Sequence, residues 1–173
     1  MKPNDRFSFL KNNRVSQDPT TLVQCYLPII GQDALSLYLY TLAFWDDGQK
    51  EHLFASILNH LNFGMDRLLK AFKILAAFNL VTLYQNGDGY KLVIHPTLSQ
   101  SDFLRHTVYR TLLEKRIGDT AVSDLRQEAA DGEALTVHLS QAFPEIEELA
   151  SHDETPVKAD FKNDFDLEHF RQL

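Results

Sequence analysis

The chain has 173 residues, 44% of them apolar, enough for one domain of ordinary size with appendages. No apolar run reaches the ~18 residues that a membrane-spanning helix needs, and Met1-Lys2-Pro3-Asn4-Asp5-Arg6 is followed by no apolar signal region. The single cysteine, Cys25, excludes an internal disulfide framework and predicts a reduced, cytoplasmic setting.

The net charge of −7 is unevenly spread. Residues 1–127 hold 14 Lys and Arg against 12 Asp and Glu, a net of +2, whereas residues 128–173 hold 3 against 12, a net of −9. The body is therefore weakly basic, and the C-terminal segment differs from it in kind. A body at +2 lacks the footprint of a strong DNA binder.

In chain order, residues 1–18 read as an N-terminal arm in which Phe7-Ser8-Phe9-Leu10 forms a short strand, an edge partner for a later hairpin. Lys11 to Thr21 is a polar loop. Pro19-Thr20 opens a short helix to Leu27, interrupted by Pro28 and Gly31. Gln32 to Trp45 is helical and apolar on most sides, the mark of a buried helix, and Asp46-Asp47-Gly48 ends it. The spacing then predicts a helix over Glu51–Leu61, a short turn at Asn62-Phe63-Gly64, and a second helix over residues 65–78. In that second helix Met65, Leu68, Leu69, Phe72, Leu75 and Ala76 make one apolar stripe, opposite Asp66, Arg67, Lys70 and Lys73.

Asn79 suits a left-handed residue at the helix end. The period then falls from 3.6 to 2, which predicts strands over 80–85 and 90–95 joined by Asn86-Gly87-Asp88-Gly89. Ser99 with Asp102 resembles a capping box opening a helix to about Arg116, which Gly118 stops. Further helices are predicted over Thr120–Ala130 and Ala134–Phe143. From Ser151 the chain is an acidic, mobile tail punctuated by Phe161, Phe165, Leu167 and Phe170. The fold class is mainly α (α+β): a winged helix-turn-helix with a β-hairpin wing and extra C-terminal helices. Its expected parts are the arm (1–18), the winged-helix domain with its following helix (19–118), a helical extension (119–150) and the tail (151–173).

The seven glycines build no phosphate-cradling loop, and the seven histidines show no metal spacing. No catalytic residue, metal or cofactor is expected, and the chain does not read as an enzyme. The candidates for DNA contact are Arg67, Lys70 and Lys73 on the second helix and Lys91 in the wing. Base-reading residue types are sparse on that helix, so weak contact with phosphates is expected rather than sequence readout. The candidates for self-association are Phe7 and Phe9 on the edge strand, and the stripe Phe103, Leu104, Val108, Leu112 and Leu113. On pattern alone that stripe either packs back on the body or meets its copy in a second chain.

Tyr26-Leu27-Pro28-Ile29-Ile30-Gly31-Gln32-Asp33-Ala34-Leu35-Ser36-Leu37-Tyr38 resembles the LYxPLIGxxAxxLY opening of the DnaB/DnaD-type primosomal proteins of Gram-positive bacteria. Ala71, Leu75 and Asn79-Leu80-Val81-Thr82-Leu83-Tyr84 are similar to the family's third helix and first wing strand. Pro96-Thr97-Leu98-Ser99-Gln100-Ser101-Asp102-Phe103-Leu104 resembles PLSPxEFF, and Leu112 to Gly118 resembles LxxxVG. The likeness covers about residues 20–127, in order.

The resemblance implies a self-associating winged helix, a dimer or tetramer, in DNA replication initiation or restart. Such a module helps a helicase-loader ATPase and other primosomal proteins place the replicative helicase, and the full-length proteins associate with the membrane at the replication origin. Full-length members bind single-stranded DNA through C-terminal domains bearing a YxxxIxxW-like motif. This chain lacks that motif, and its one Trp is Trp45, so only weak DNA binding is expected of it. The rival expectation is a winged-helix transcription regulator, which needs a palindromic target and direct base readout.

Overall fold

A computed structural model describes residues 1–125 and 132–145. The chain divides after Gln127 into two units. In the second, residues Leu139–Ala142 form one helical turn capped by His138, so the helix expected from Ala134 begins only at Leu139. The predicted acidic tail lies outside the described residues, as does the end of the helix expected over Thr120–Ala130.

The first unit opens with β1 (Arg6–Phe9), whose Phe7 and Phe9 alternate into the core. Expected at an edge, this strand is interior: it pairs antiparallel with β2 (His52–Leu53) and parallel with β4 (Gly89–Ile94). With β3 (Val81–Asn86) the sheet order is β2-β1-β4-β3. The reason lies in the partners. β2 is only two residues long, and β4 offers a full row of backbone groups, which the arm satisfies on both sides. Beyond the strand, Leu10 N–H donates to the Leu92 carbonyl at 3.0 Å. The Asn13 side chain then stands in for a strand residue, accepting from Ile94 N–H at 2.7 Å and donating to the Ile94 carbonyl at 2.9 Å.

Asp18 caps α1 (Pro19–Thr21) through Thr20 N–H and the Thr21 hydroxyl. A π-helical turn (Leu22–Tyr26) carries the chain into α2 (Leu27–Phe44). The wider turn answers Pro28, which has no N–H to donate into a regular helix and whose ring crowds the carbonyl four residues back, that of Gln24. Gly31 (φ 84°, ψ 174°) then kinks α2, at the point where the sequence placed an interruption. Two of the three phenols of this region are hydrogen-bonded internally. Tyr38 Oη donates to the His95 carbonyl at 2.6 Å, and Tyr26 Oη accepts from Leu98 N–H at 2.9 Å. Burial raises the pKa of both above the usual phenol value.

α2 ends at an Asp47-Gly48 turn in which both residues have positive φ. A Cβ on Gly48 would lie 2.8 Å from the Phe9 carbonyl oxygen. Gly48→Ala should therefore lower stability by about 2–3 kcal/mol, combining left-handed strain with a backbone clash. Chemical denaturation checks it, and an unchanged midpoint would show that the turn does not press against β1.

α3 (Phe54–Leu61) and α4 (Met65–Ala77) form the helix-turn-helix, joined through Asn62 in the left-handed region. α4 buries Leu68, Ala71, Phe72 and Leu75. Relative to the expected stripe, Ala71 faces inward and Ala76 outward. Its C-terminus is closed by Asn79 (φ 54°), with Leu80 N–H donating to the Leu75 carbonyl and Asn79 N–H to the Ala76 carbonyl. This Schellman pairing turns the chain directly into β3. The wing turns on Gly87-Asp88, with Gly87 at φ 62°.

The helix expected from Ser99 to Arg116 is two: α5 (Gln100–Arg105) and α6 (Thr107–Ile117). Ser99 caps the first as the sequence implied. His106, extended at φ −74° and ψ 111°, breaks the run and caps α6, its Nδ1 accepting from Tyr109 N–H at 3.3 Å. α7 (Asp119–Leu125) follows Gly118 and buries Val122.

Candidate nucleic-acid interface

The four candidate cations do not form one surface. Arg67 is held in a two-pronged pair by Asp33 of α2, with Nε and Nη2 at 2.9 and 2.7 Å from the two carboxylate oxygens. Its guanidinium also lies 5.0 Å from the Phe63 ring centre. The Arg67 hydrogen bond holds the Asp33 carboxyl below the usual carboxylate range. Arg67 thus ties α4 to α2, which the sequence reading of a free phosphate contact did not include. Lys70 and Lys73 remain exposed on α4 with no ion-pair partner among the described residues.

Lys91 stands elsewhere, on the outer face of the sheet, with Nζ 3.0 Å from Ser8 Oγ. Arg6 lies on the same face of the neighbouring strand and pairs loosely with Glu51 at 3.3 Å. The sequence reading did not place Arg6 beside Lys91, because the β1–β4 pairing that joins them spans more than 80 residues.

The self-association candidates divide in the same way. Phe7, Phe9, Phe103, Leu104 and Leu113 are buried within the chain, so they offer no face to a second copy in this conformation. The break at His106 is the cause, because it folds the stripe back: Phe103 packs against Tyr26 at 4.8 Å and against Tyr109 at 5.3 Å. Val108 is 59% exposed, and Leu112 is half-buried. Other exposed apolar side chains on the helices are Val23, Leu39, Phe44 and Ile117.

Nothing among the described residues gathers three or more His, Cys, Asp or Glu side chains fit to hold a metal. Cys25 is buried and its thiol pushed up to about 11, so it is not a thiolate at neutral pH. No helix among the described residues is long and apolar enough to cross a membrane.

A family model described as the DnaB N-terminal winged helix domain matches residues 1–173. The chain belongs to that family. The fold agrees with a solved relative, the crystal structure of residues 1–300 of the primosome protein DnaB from Geobacillus stearothermophilus. The TM-score is 0.69 at 18% sequence identity, over 81% of this chain. The match spans 58% of the Geobacillus chain. No curated protein matches the sequence. For a DnaB-type winged helix, α2, α3 and α4 are the three-helix body and β3–β4 the wing. The arm strand β1 is built into the sheet between β2 and that wing.

Proposed function

We propose that the chain is a non-enzymatic replication protein, the N-terminal assembly module of a primosomal protein that helps place the replicative helicase on DNA. The observation that carries the reading is the family match along the whole chain. On this reading the module binds a second copy of itself, a helicase-loader ATPase and other primosomal proteins. The self-contact uses the exposed apolar side chains of the helical body, Val108 foremost. Its duplex contact is weak and sequence-independent, made by Lys70 and Lys73 rather than by Arg67. Base-reading side chains are sparse on the outward face of α4, which carries no Asn or Gln and whose one Arg is held by Asp33, and this counts against a transcription regulator.

Selection from random duplex DNA tests the choice. An assembly module enriches no motif, whereas a palindromic consensus would overturn the reading in favour of a regulator. For the weak contact, Lys70→Glu with Lys73→Glu should abolish duplex retardation at low salt and leave thermal stability within about 0.5 kcal/mol, as for exposed positions. Retardation that survives both changes would move the duplex contact off α4.

A further inference from the structure

The outer face of the sheet is a second surface with its own chemistry. Phe7, Phe9, Leu92 and Ile94 turn into the core, so their neighbours in sequence turn out. The strand register sets those neighbours in two rungs. One runs Arg6–Gly89–Asn86 across β1, β4 and β3, and the next runs Ser8–Lys91–Tyr84. The centre of the first rung is a glycine, and the missing side chain leaves a cleft of about 220 Å³ between Arg6 and Asn86. Gly89 opens β4 beside the wing turn, where its lack of a side chain leaves the sheet face open.

The cleft is edged by donors: the Arg6 guanidinium, the Ser8 hydroxyl, the Asn86 amide and the Lys91 ammonium. Lys91 is held by Ser8 and has no carboxylate partner among the described residues. The one carboxylate at the rim, Glu51, pairs with Arg6 while both side chains are about two-thirds exposed, so the pair is weak and readily exchanged for a phosphate. On the second rung Tyr84 is 57% exposed, and its ring has no aromatic neighbour among the described residues.

We infer that this face binds single-stranded nucleic acid, with a backbone phosphate in the Gly89 cleft between Arg6 and Lys91 and an unpaired base stacked on Tyr84. An exposed aromatic ring beside cations on an open sheet suits single strands, because the stacked base must present its face, which a duplex hides. The site needs neither Lys70 nor Lys73 and so stands apart from the duplex contact proposed above.

The test is fluorescence anisotropy of a labelled oligothymidylate of about 20 nucleotides with the 173-residue chain in about 50 mM salt, where a weak phosphate contact is visible. Tyr84→Ala should weaken binding about tenfold. An abasic oligomer of the same length should bind the unaltered protein equally weakly and be indifferent to Tyr84→Ala. Gly89→Val should abolish binding while circular dichroism shows the fold retained. The backbone there is not left-handed, and the added Cβ meets only the Arg6 carbonyl oxygen, at an ordinary 3.5 Å. Arg6→Gln and Lys91→Gln should each reduce the slope of log affinity against log salt by about 0.7. Lys70→Glu with Lys73→Glu should leave oligothymidylate binding in place.

Three results would overturn the inference: no single-strand binding at low salt, binding indifferent to both Tyr84→Ala and Gly89→Val, or binding lost only in the α4 variant. Equal affinity for intact and abasic oligomers, with competition by inorganic phosphate, would reduce the site to an anion pocket and remove the base from it.

Discussion

Truncating Phe9 to alanine should lower stability by about 3–5 kcal/mol, the range for a buried aromatic ring replaced by a cavity. Phe9 is fully buried, 5.6 Å from the Phe7 ring and 5.2 Å edge-on to His52. Phe7 in turn packs 4.9 Å from Phe54 at the start of α3. The two rings join the arm to the helix-turn-helix, and the arm is what joins β2 to the wing. Loss of Phe9 therefore empties the core at the seam between helices and sheet. Urea unfolding of the whole chain, followed by circular dichroism, gives the number. A loss below about 1 kcal/mol would mean that β1 is an appendage, since surface positions behave that way.

Glutamate at Leu113 should unfold the chain and glutamate at Val108 should not, although both lie on α6 and both belong to one apolar stripe in the sequence. Leu113 is fully buried, so a carboxylate there is desolvated without a partner and should cost several kcal/mol, about enough to unfold a domain of this size. Val108 is 59% exposed, and Val108→Glu should change the stability of one chain by no more than about 0.5 kcal/mol. If Val108 forms part of a contact between copies, the same change yields a folded but smaller particle. Circular dichroism and sedimentation on the two single variants separate these effects. An unfolded Val108→Glu protein would place that side chain in the core.

The sequence made the middle of the molecule readable because its signals there are local. The apolar positions of α4, the left-handed Asn79 and the glycines around Asp88 each act within a few residues, and the structure has a helix end and a hairpin at those places. The kink at Gly31 was legible too, whereas the interruption expected at Pro28 is absent: the chain stays helical there, passing from a π turn into the first turn of α2. What stayed hidden depends on partners far along the chain. Phe7 and Phe9 alternate as any edge strand would, and only the unpaired rows of β2 and β4 turn β1 into an interior strand. Arg67 has the appearance of a free surface cation until Asp33, on another helix, takes both prongs of its guanidinium. His106 is a permissible helix residue by propensity, so nothing local announces the bend that brings Phe103 and Leu113 onto the same core. Of the candidate DNA residues, Lys70 and Lys73 stand exposed on α4 as the helical wheel implies, while Lys91 lies on a sheet face defined only by strand register.

Light scattering on the chain at roughly tens of micromolar, a concentration that fills a micromolar dimer, tests the proposed assembly role most directly. A self-associating module gives a mass of two or more times 19.9 kDa, reduced toward one copy by Val108→Glu. A steady 19.9 kDa across that range would contradict it.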